Sequence, residues 1–174
     1  MQVAKNLQDL NGFYLEQPCG SYSDCLWLRH RCQLPMVLDE CVSDLKSVVK
    51  TYEDRAADVL DLKIAKFGGI SKTKSAIDFC VNMGIPMAIV DTWGTDLTTA
   101  AILNLCATIP PPLLFRAANF ISYNGISIGS FLDPSVREMR SPQEGLVMKV
   151  PLSSPGLGIQ LNKSVLKEAI FVIE

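Results

Sequence analysis

Five charged or polar residues recur along the chain at intervals that match one strand–helix unit. They lie 23, 24, 28 and 28 residues apart, and each ends or closely follows a short apolar run. Two carboxylates followed by a lysine suit a hard cation such as Mg²⁺ together with an acid/base group. A single strand-end carboxylate is more often a helix cap or a solvated charge, so only the ordered series supports this interpretation. The residues are Glu16, Asp39, Lys63, Asp91 and Asn119.

Lys63 lies in the apolar stretch VLDLKIA, residues 59–65, where burial of an ammonium group is costly. A lysine beside a divalent cation has its charged form disfavoured, so it can take a proton from the carbon next to a carboxylate. The cation would stabilise the enediolate that forms. The alternative is that Lys63 extends its ammonium group to water and carries out no chemistry.

The elements that must position these residues alternate between short apolar strands and helices. Such alternation predicts right-handed β–α–β units around a parallel sheet. Polar residues at nearly every strand end favour a (β/α)₈ barrel over an open doubly wound sheet, which rarely uses so many of its strands. The strands are predicted over 13–17, 36–40, 59–65, 85–91 and 113–120, and the helices over 23–31, 42–54, 71–84 and 95–107.

Capping residues mark the predicted helix ends. Ser43 or Asp44 is expected to cap the helix that ends near Asp54. Ser71 is expected to open the next helix, and Gly84 to provide its left-handed end.

Composition excludes several classes of function. The net charge of −2 and the scattered charged residues offer no basic surface for nucleic acid. No apolar run approaches the roughly 18 residues of a membrane span, and the polar N-terminus is unlike a secretory signal, so we expect a cytoplasmic protein. The six cysteines contain no CxxC pair and His30 is the single histidine, which argues against zinc and for reduced core thiols.

The chain contains four recognisable motifs: YLEQP (14–18), LDE (38–40), LKIAKFGGI (62–70) and VPLSSPGLGIQL (150–161). Together they resemble the enolase superfamily, in particular the C-terminal barrel domain of its mandelate racemase/muconate-lactonizing branch. The resemblance covers nearly the whole chain in order, as a partial domain over residues 1–174. It implies strands 4 to 8 of a TIM-type barrel, with Glu16 and Asp39 as Mg²⁺ ligands and Lys63 as an acid/base. Lys66 falls where a second, often non-catalytic lysine occurs.

The stretch that corresponds to the family's seventh barrel strand narrows the resemblance to one subgroup. The stretch IVDTWGTDLTTAA, residues 89–101, lacks the histidine that mandelate racemase-like members pair with a sixth-strand Asp, so Asp61 has no such partner. IVDTWGTD is similar to the corresponding stretch of cis-3-hydroxy-L-proline dehydratases. This similarity implies that Asp91 meets the ammonium of an imino-acid substrate and that Trp93 packs its ring. Ordinary packing of Trp93 at the barrel rim is the alternative. Asn119 is expected to line the same mouth.

The chain departs from the family pattern by what it lacks. By comparison with the family pattern, we expect this chain to lack the N-terminal capping domain and the first three barrel strands, and with them the second-strand lysine pair and the third-strand Asp ligand. We therefore expect a fragment with an unpaired strand edge, weak Mg²⁺ binding and little turnover by itself.

The resemblance implies that the intact parent is a Mg²⁺-dependent lyase. It would abstract the α-proton of a small carboxylate substrate such as cis-3-hydroxy-L-proline. Within the superfamily, a racemase or epimerase of an amino-acid derivative, or a cycloisomerase, is the alternative. The other class of function is a non-catalytic half-barrel module that assembles through its open edge with a partner or as a homo-oligomer.

Overall fold

A computed structural model describes residues 7, 12–91, 95–117, 132–133, 139–141, 145–148, 150–151 and 154–161 of the chain. The alternating pattern of the sequence produces the predicted β–α units. Five strands form one sheet in the order β1-β2-β3-β4-β5, and each neighbouring pair is parallel. The strands are β1 (Leu15–Glu16), β2 (Met36–Leu38), β3 (Val59–Lys63), β4 (Met87–Val90) and β5 (Leu114–Ala117).

Helices connect successive strands of this sheet up to β4, and a helix followed by a 3-10 turn, Pro111–Leu113, leads into β5. Strand order therefore follows chain order, as successive β–α units of a barrel require. The predicted barrel segment of strands 4 to 8 is confirmed in its type and order, although each strand is shorter than predicted. The helices are α1 (Tyr22–Arg29), α2 (Leu45–Glu53), α3 (Ile64–Phe67), α4 (Ile70–Met83) and α5 (Asp96–Cys106).

Two short antiparallel pairs follow the parallel sheet and were not predicted. The first pairs β6 (Leu132–Asp133) with β9 (Gln160–Leu161). The second pairs β7 (Met139–Ser141) with β8 (Gly145–Val147).

Most of the predicted helix ends are confirmed. Asp44 caps α2 by accepting the N–H of Ser47, whose hydroxyl in turn accepts the N–H of Asp44. Gly84 ends α4 in the left-handed region, at φ +70°. The prediction that Ser71 opens α4 is wrong, because the helix begins at Ile70 and is capped by the backbone of Gly69.

The strands supply the centre of a continuous apolar core. Nearly every residue of β2, β3 and β4 is buried, and α4 packs against these strands through Ile77 and Cys80. All six cysteines are free thiols, in agreement with the sequence, and burial raises the pKa of Cys80 and Cys106 to about 12. Among the described residues, no helix has the length and apolar character needed to cross a bilayer. The fully buried strand residues include Met36, Leu38, Leu60, Leu62, Met87 and Ile89.

Candidate active site

The carboxyl ends of β1, β2 and β3 bring polar side chains to one edge of the sheet. Glu16 ends β1, Asp39 directly follows β2, and Lys63 ends β3. The parallel register pairs Glu16 with Val37 and Leu38 with Leu60, so the three strand ends lie side by side. The structure therefore brings together three residues that the sequence separates by more than 20 positions each.

Three carboxylates converge at this edge, and we call Glu16, Asp39 and Asp61 the carboxylate trio. One oxygen from each lies within 4.8 Å of the others. Asp61 Oδ1 and Asp39 Oδ1 are buried and accept no hydrogen bond from the described residues. Because buried carboxylate oxygens without donors are costly, and because hard oxygen ligands suit Mg²⁺, the trio fits a divalent cation.

Two lysines neutralise the Asp39 carboxylate. Lys63 Nζ lies 2.5 Å from Asp39 Oδ2, and the two side chains are only 14% and 5% exposed. Lys66 Nζ lies 3.5 Å from Oδ1 of the same carboxylate and donates to the Asp39 carbonyl at 3.3 Å. Lys63 is thus held at a member of the carboxylate trio, and Lys66, from the next helix, contacts the same residue.

Arg116 contacts the trio from β5, the last strand of the sheet. Its guanidinium Nη2 lies 2.7 Å from Asp61 Oδ2 and 3.0 Å from Glu16 Oε2. Burial raises the pKa of Asp61 to about 6, and the Glu16 and Asp39 carboxylates add to the rise, although Arg116 opposes it. The pKa of Asp61 therefore lies above its ordinary value, and the ion pair with Arg116 favours the charged carboxylate.

The sequence analysis did not include Arg116, and it noted for Asp61 only the lack of a seventh-strand histidine. The structure adds that Asp61 pairs with Arg116 and belongs to the trio. A signal for Asp61 was present, since it lies two residues before Lys63 and successive side chains of a strand alternate between faces. Arg116 carried no comparable signal, because it lies in the middle of a strand without a motif.

The three predicted substrate contacts have different outcomes. Asp91 directly follows β4 and is buried, and its Oδ1 accepts the N–H of Ala65 at the start of α3 at 3.3 Å. Its role in substrate binding stays a prediction. Trp93 and Asn119 lie outside the described residues.

A cavity of about 500 Å³ opens beside the trio at the end of β1. Its walls include Glu16 from the trio and Glu40, which directly follows Asp39. The edge of the sheet that carries the trio is therefore open to a small molecule. The remaining walls are Gln17, Pro18, Cys19 and Gly20.

Residues 1–165 match the family model described as Enolase C-terminal domain-like. The chain belongs to the enolase superfamily. This confirms the resemblance drawn from the motifs and the barrel topology that it implied. Enolase-superfamily membership also accounts for the position of the trio, since (β/α)₈ barrels place their chemistry at the carboxyl ends of the strands.

Individual relatives agree with this assignment. A cis-3-hydroxy-L-proline dehydratase from Roseibium aggregatum is 37% identical over 157 residues, which are 90% of this chain and 40% of the relative. A crystal structure of a mandelate racemase/muconate lactonizing enzyme from Roseovarius nubinhibens ISM is 30% identical with a TM-score of 0.82, and covers 98% of this chain and 43% of that one. A second structure from that organism, complexed with magnesium, is 28% identical with a TM-score of 0.79, over 98% and 44%. The chain thus spans about two fifths of these relatives.

Proposed function

We propose that this chain carries the metal-binding and acid/base part of a Mg²⁺-dependent hydro-lyase that acts on a small carboxylate substrate such as cis-3-hydroxy-L-proline. The observation that carries the proposal is the contact of Lys63 Nζ with Asp39 at 2.5 Å, within the carboxylate trio. A proton-transfer group and a set of oxygen ligands therefore share one site, as abstraction of a proton next to a carboxylate requires.

Glu16 and Asp39 would hold the metal, and Asp61 would face it from β3. A bound Mg²⁺ would offset the negative charge that develops on the substrate carboxylate as the α-proton leaves. The buried Asp61 Oδ1 supports this assignment, because it has no hydrogen-bond partner among the described residues. The Asp39 Oδ1 is held only by the longer ion pair with Lys66, at 3.5 Å. The magnesium complex of the Roseovarius nubinhibens neighbour supports the choice of cation.

Lys63 would move the proton. Its Nζ donates to Asp39 Oδ2, so it lies at a carboxylate that would hold the metal. In its neutral form this amine would accept the α-proton of the substrate. Departure of the substrate hydroxyl with one proton, as water, then completes the dehydration.

The substrate class is supported by similarity and by charge. The Roseibium aggregatum relative, at 37% identity, is named as a dehydratase of cis-3-hydroxy-L-proline. Lys63, Lys66 and Arg116 surround the trio, so a loaded site is net positive and suits an anionic substrate. The ammonium of an imino acid would meet a separate carboxylate, for which Asp91 is our candidate.

Turnover of cis-3-hydroxy-L-proline with Mg²⁺ in D₂O tests the proposal. Because the chain spans two fifths of its relatives, the assay uses the chain fused to the preceding part of the Roseibium aggregatum relative. We expect loss of the hydroxyl group by NMR, and a fall of at least about 10²-fold in rate for Lys63→Ala.

The matched control is Lys74→Ala, which removes an ion pair with Asp78 on the exposed face of α4 and should keep the wild-type rate. Exchange of the α-proton for deuterium without loss of water would contradict the proposed dehydratase activity and favour an epimerase. A Lys63→Ala protein with undiminished turnover would remove Lys63 from the mechanism.

A further inference from the structure

Gln17 has a backbone conformation that its residue type rarely adopts. It directly follows the ligand Glu16, and its φ is +36°. Arg55 is the other non-glycine residue with a positive φ among those the structure describes. Because a side chain in this region is strained, the strain at Gln17 must be offset by the interactions that hold this turn.

The side-chain amide of Gln17 is hydrogen-bonded at both ends. Its Oε1 accepts the backbone N–H of Asp39 at 3.0 Å and the thiol of Cys41 at 3.3 Å. Its Nε2 donates to the carbonyl of Cys19 at 2.9 Å. The partners fix the orientation of the amide, because the Asp39 N–H requires an acceptor and the Cys19 carbonyl requires a donor.

These bonds join the two loops that carry the proposed metal ligands. Glu16 precedes Gln17 in the chain, while Asp39 supplies the N–H that the Gln17 amide holds. The backbone N–H of Gln17 also donates to Val37 on β2 at 2.9 Å. The backbone and the side chain of Gln17 therefore both restrain the distance between Glu16 and Asp39 at the ends of β1 and β2.

We propose that Gln17 is a positioning residue that sets the separation of Glu16 and Asp39 for metal binding. This rests on the proposed function, since it takes these two carboxylates as ligands. Gln17 does not itself face the metal, because its amide is committed to Asp39, Cys19 and Cys41. Partners that orient metal ligands in this way typically change metal affinity by about 10- to 100-fold when they are removed.

Two substitutions separate the side chain from the strained backbone. Gln17→Met keeps the length of the side chain and the positive φ, but it leaves the Asp39 N–H without its acceptor and leaves the Cys19 carbonyl only the weak thiol donor of Cys25. Gln17→Gly removes the strain, and the adjoining cavity admits water to the same two groups. We expect both variants to bind Mg²⁺ about 10- to 100-fold more weakly by calorimetry. The Tm should fall more for Gln17→Met than for Gln17→Gly.

Asn104→Leu is the matched control. The Asn104 amide donates to the carbonyls of Ala100 and Leu157 away from the trio, at 2.9 and 3.1 Å. Its loss should lower the Tm and leave the Mg²⁺ affinity unchanged. Gln17 variants that bind Mg²⁺ with wild-type affinity would overturn the inference while leaving the metal site in place. A wild-type chain that binds no Mg²⁺ would overturn the proposed site itself, and the inference with it.

Discussion

At the scale of single residues, the site pairs every carboxylate of the trio with a cation of the same chain. Lys63 and Lys66 hold one member, and Arg116 holds the other two. The metal-free site is therefore close to neutral, and a divalent cation must compete with side-chain cations for its ligands. Such competition lowers metal affinity, but it keeps the buried carboxylates ionised and ready to bind.

Asp61 gives the metal-free protein a specific pH dependence. Burial raises its pKa in the folded state from the ordinary 3.8 to about 6, so the folded state binds this proton more tightly than the unfolded state does. The contribution of Asp61 to stability is thus greatest below pH 4 and is lost as the pH rises to about 6. We expect wild type to lose up to about 3 kcal/mol relative to Asp61→Asn over this interval.

Urea unfolding at successive pH values, in the presence of a chelator, measures this difference. Asp78→Asn is the control, because Asp78 is an exposed carboxylate on α4 that pairs with Lys74. The unfolding free energy of Asp78→Asn, plotted against pH, should run parallel to that of wild type. If the curves of Asp61→Asn and wild type were also parallel from pH 4 to 7, Asp61 would not be a buried titrating group.

The part of the site that the sequence predicts is the part that local rules determine. Glu16, Asp39 and Lys63 each end or directly follow a strand, and parallel strands in chain order place such residues together. The contact between Arg116 and Glu16 spans 100 residues and depends on how far the sheet curves. Neither a motif nor a spacing in the sequence encodes that curvature, so Arg116 was missed.

At the scale of elements, the connection from β3 to α4 determines where both lysines lie. Lys63 ends β3, and α3 carries Lys66 within a single turn. Gly68 then ends α3 at φ +79°, and Gly69 continues at φ +121° and ψ 172°. This last region is open essentially to glycine alone. The sequence predicted a helix after the glycine pair, but its start was misplaced because a backbone cap leaves no side-chain signal.

Gly69→Ala should therefore destabilise the protein by about 1–3 kcal/mol through backbone strain. A Cβ at this position would meet no atom within 4 Å, so crowding does not contribute. Gly20→Ala is the matched control, because Gly20 has equally open surroundings without a positive φ. Denaturant unfolding measures the difference in stability between the two variants as a shift of the midpoint, provided that their unfolding curves have equal m-values. Equal stability of the two variants would show that the turn at Gly69 relaxes without cost.

At the scale of the whole molecule, the sheet curves enough to bring side chains at its first and last strands into contact. β1 and β5 stand at opposite ends of the strand order. Nevertheless, the rings of Tyr14 and Phe115 pack edge to face at 4.9 Å between centroids. Arg116 makes a second link at this point through Glu16. The five strands thus already curve like the wall of a barrel. This curvature brings Arg116 to the trio, in addition to Lys63 and Lys66.

Arg116→Gln tests how this long-range link affects the site. The substitution leaves the buried Asp61 carboxylate without its guanidinium, which should cost about 2 kcal/mol in the metal-free protein. It also frees Glu16 from a competing cation, so Mg²⁺ should bind more tightly. Because ligand binding to the folded state adds stability by mass action, the Tm gain on adding Mg²⁺ should be larger than in wild type.

The two effects of Arg116→Gln have opposite signs, and a general loss of packing cannot produce both. Arg29→Gln provides the comparison, because Arg29 makes a two-point ion pair with Asp58 at 2.6 and 2.7 Å, away from the trio. That variant should be less stable without metal and show the wild-type Tm gain with Mg²⁺. A reduced Mg²⁺ response in Arg116→Gln would mean that Arg116 supports the metal site rather than competing with the metal. The trio would then depend on the contact between the end strands to bind its cation.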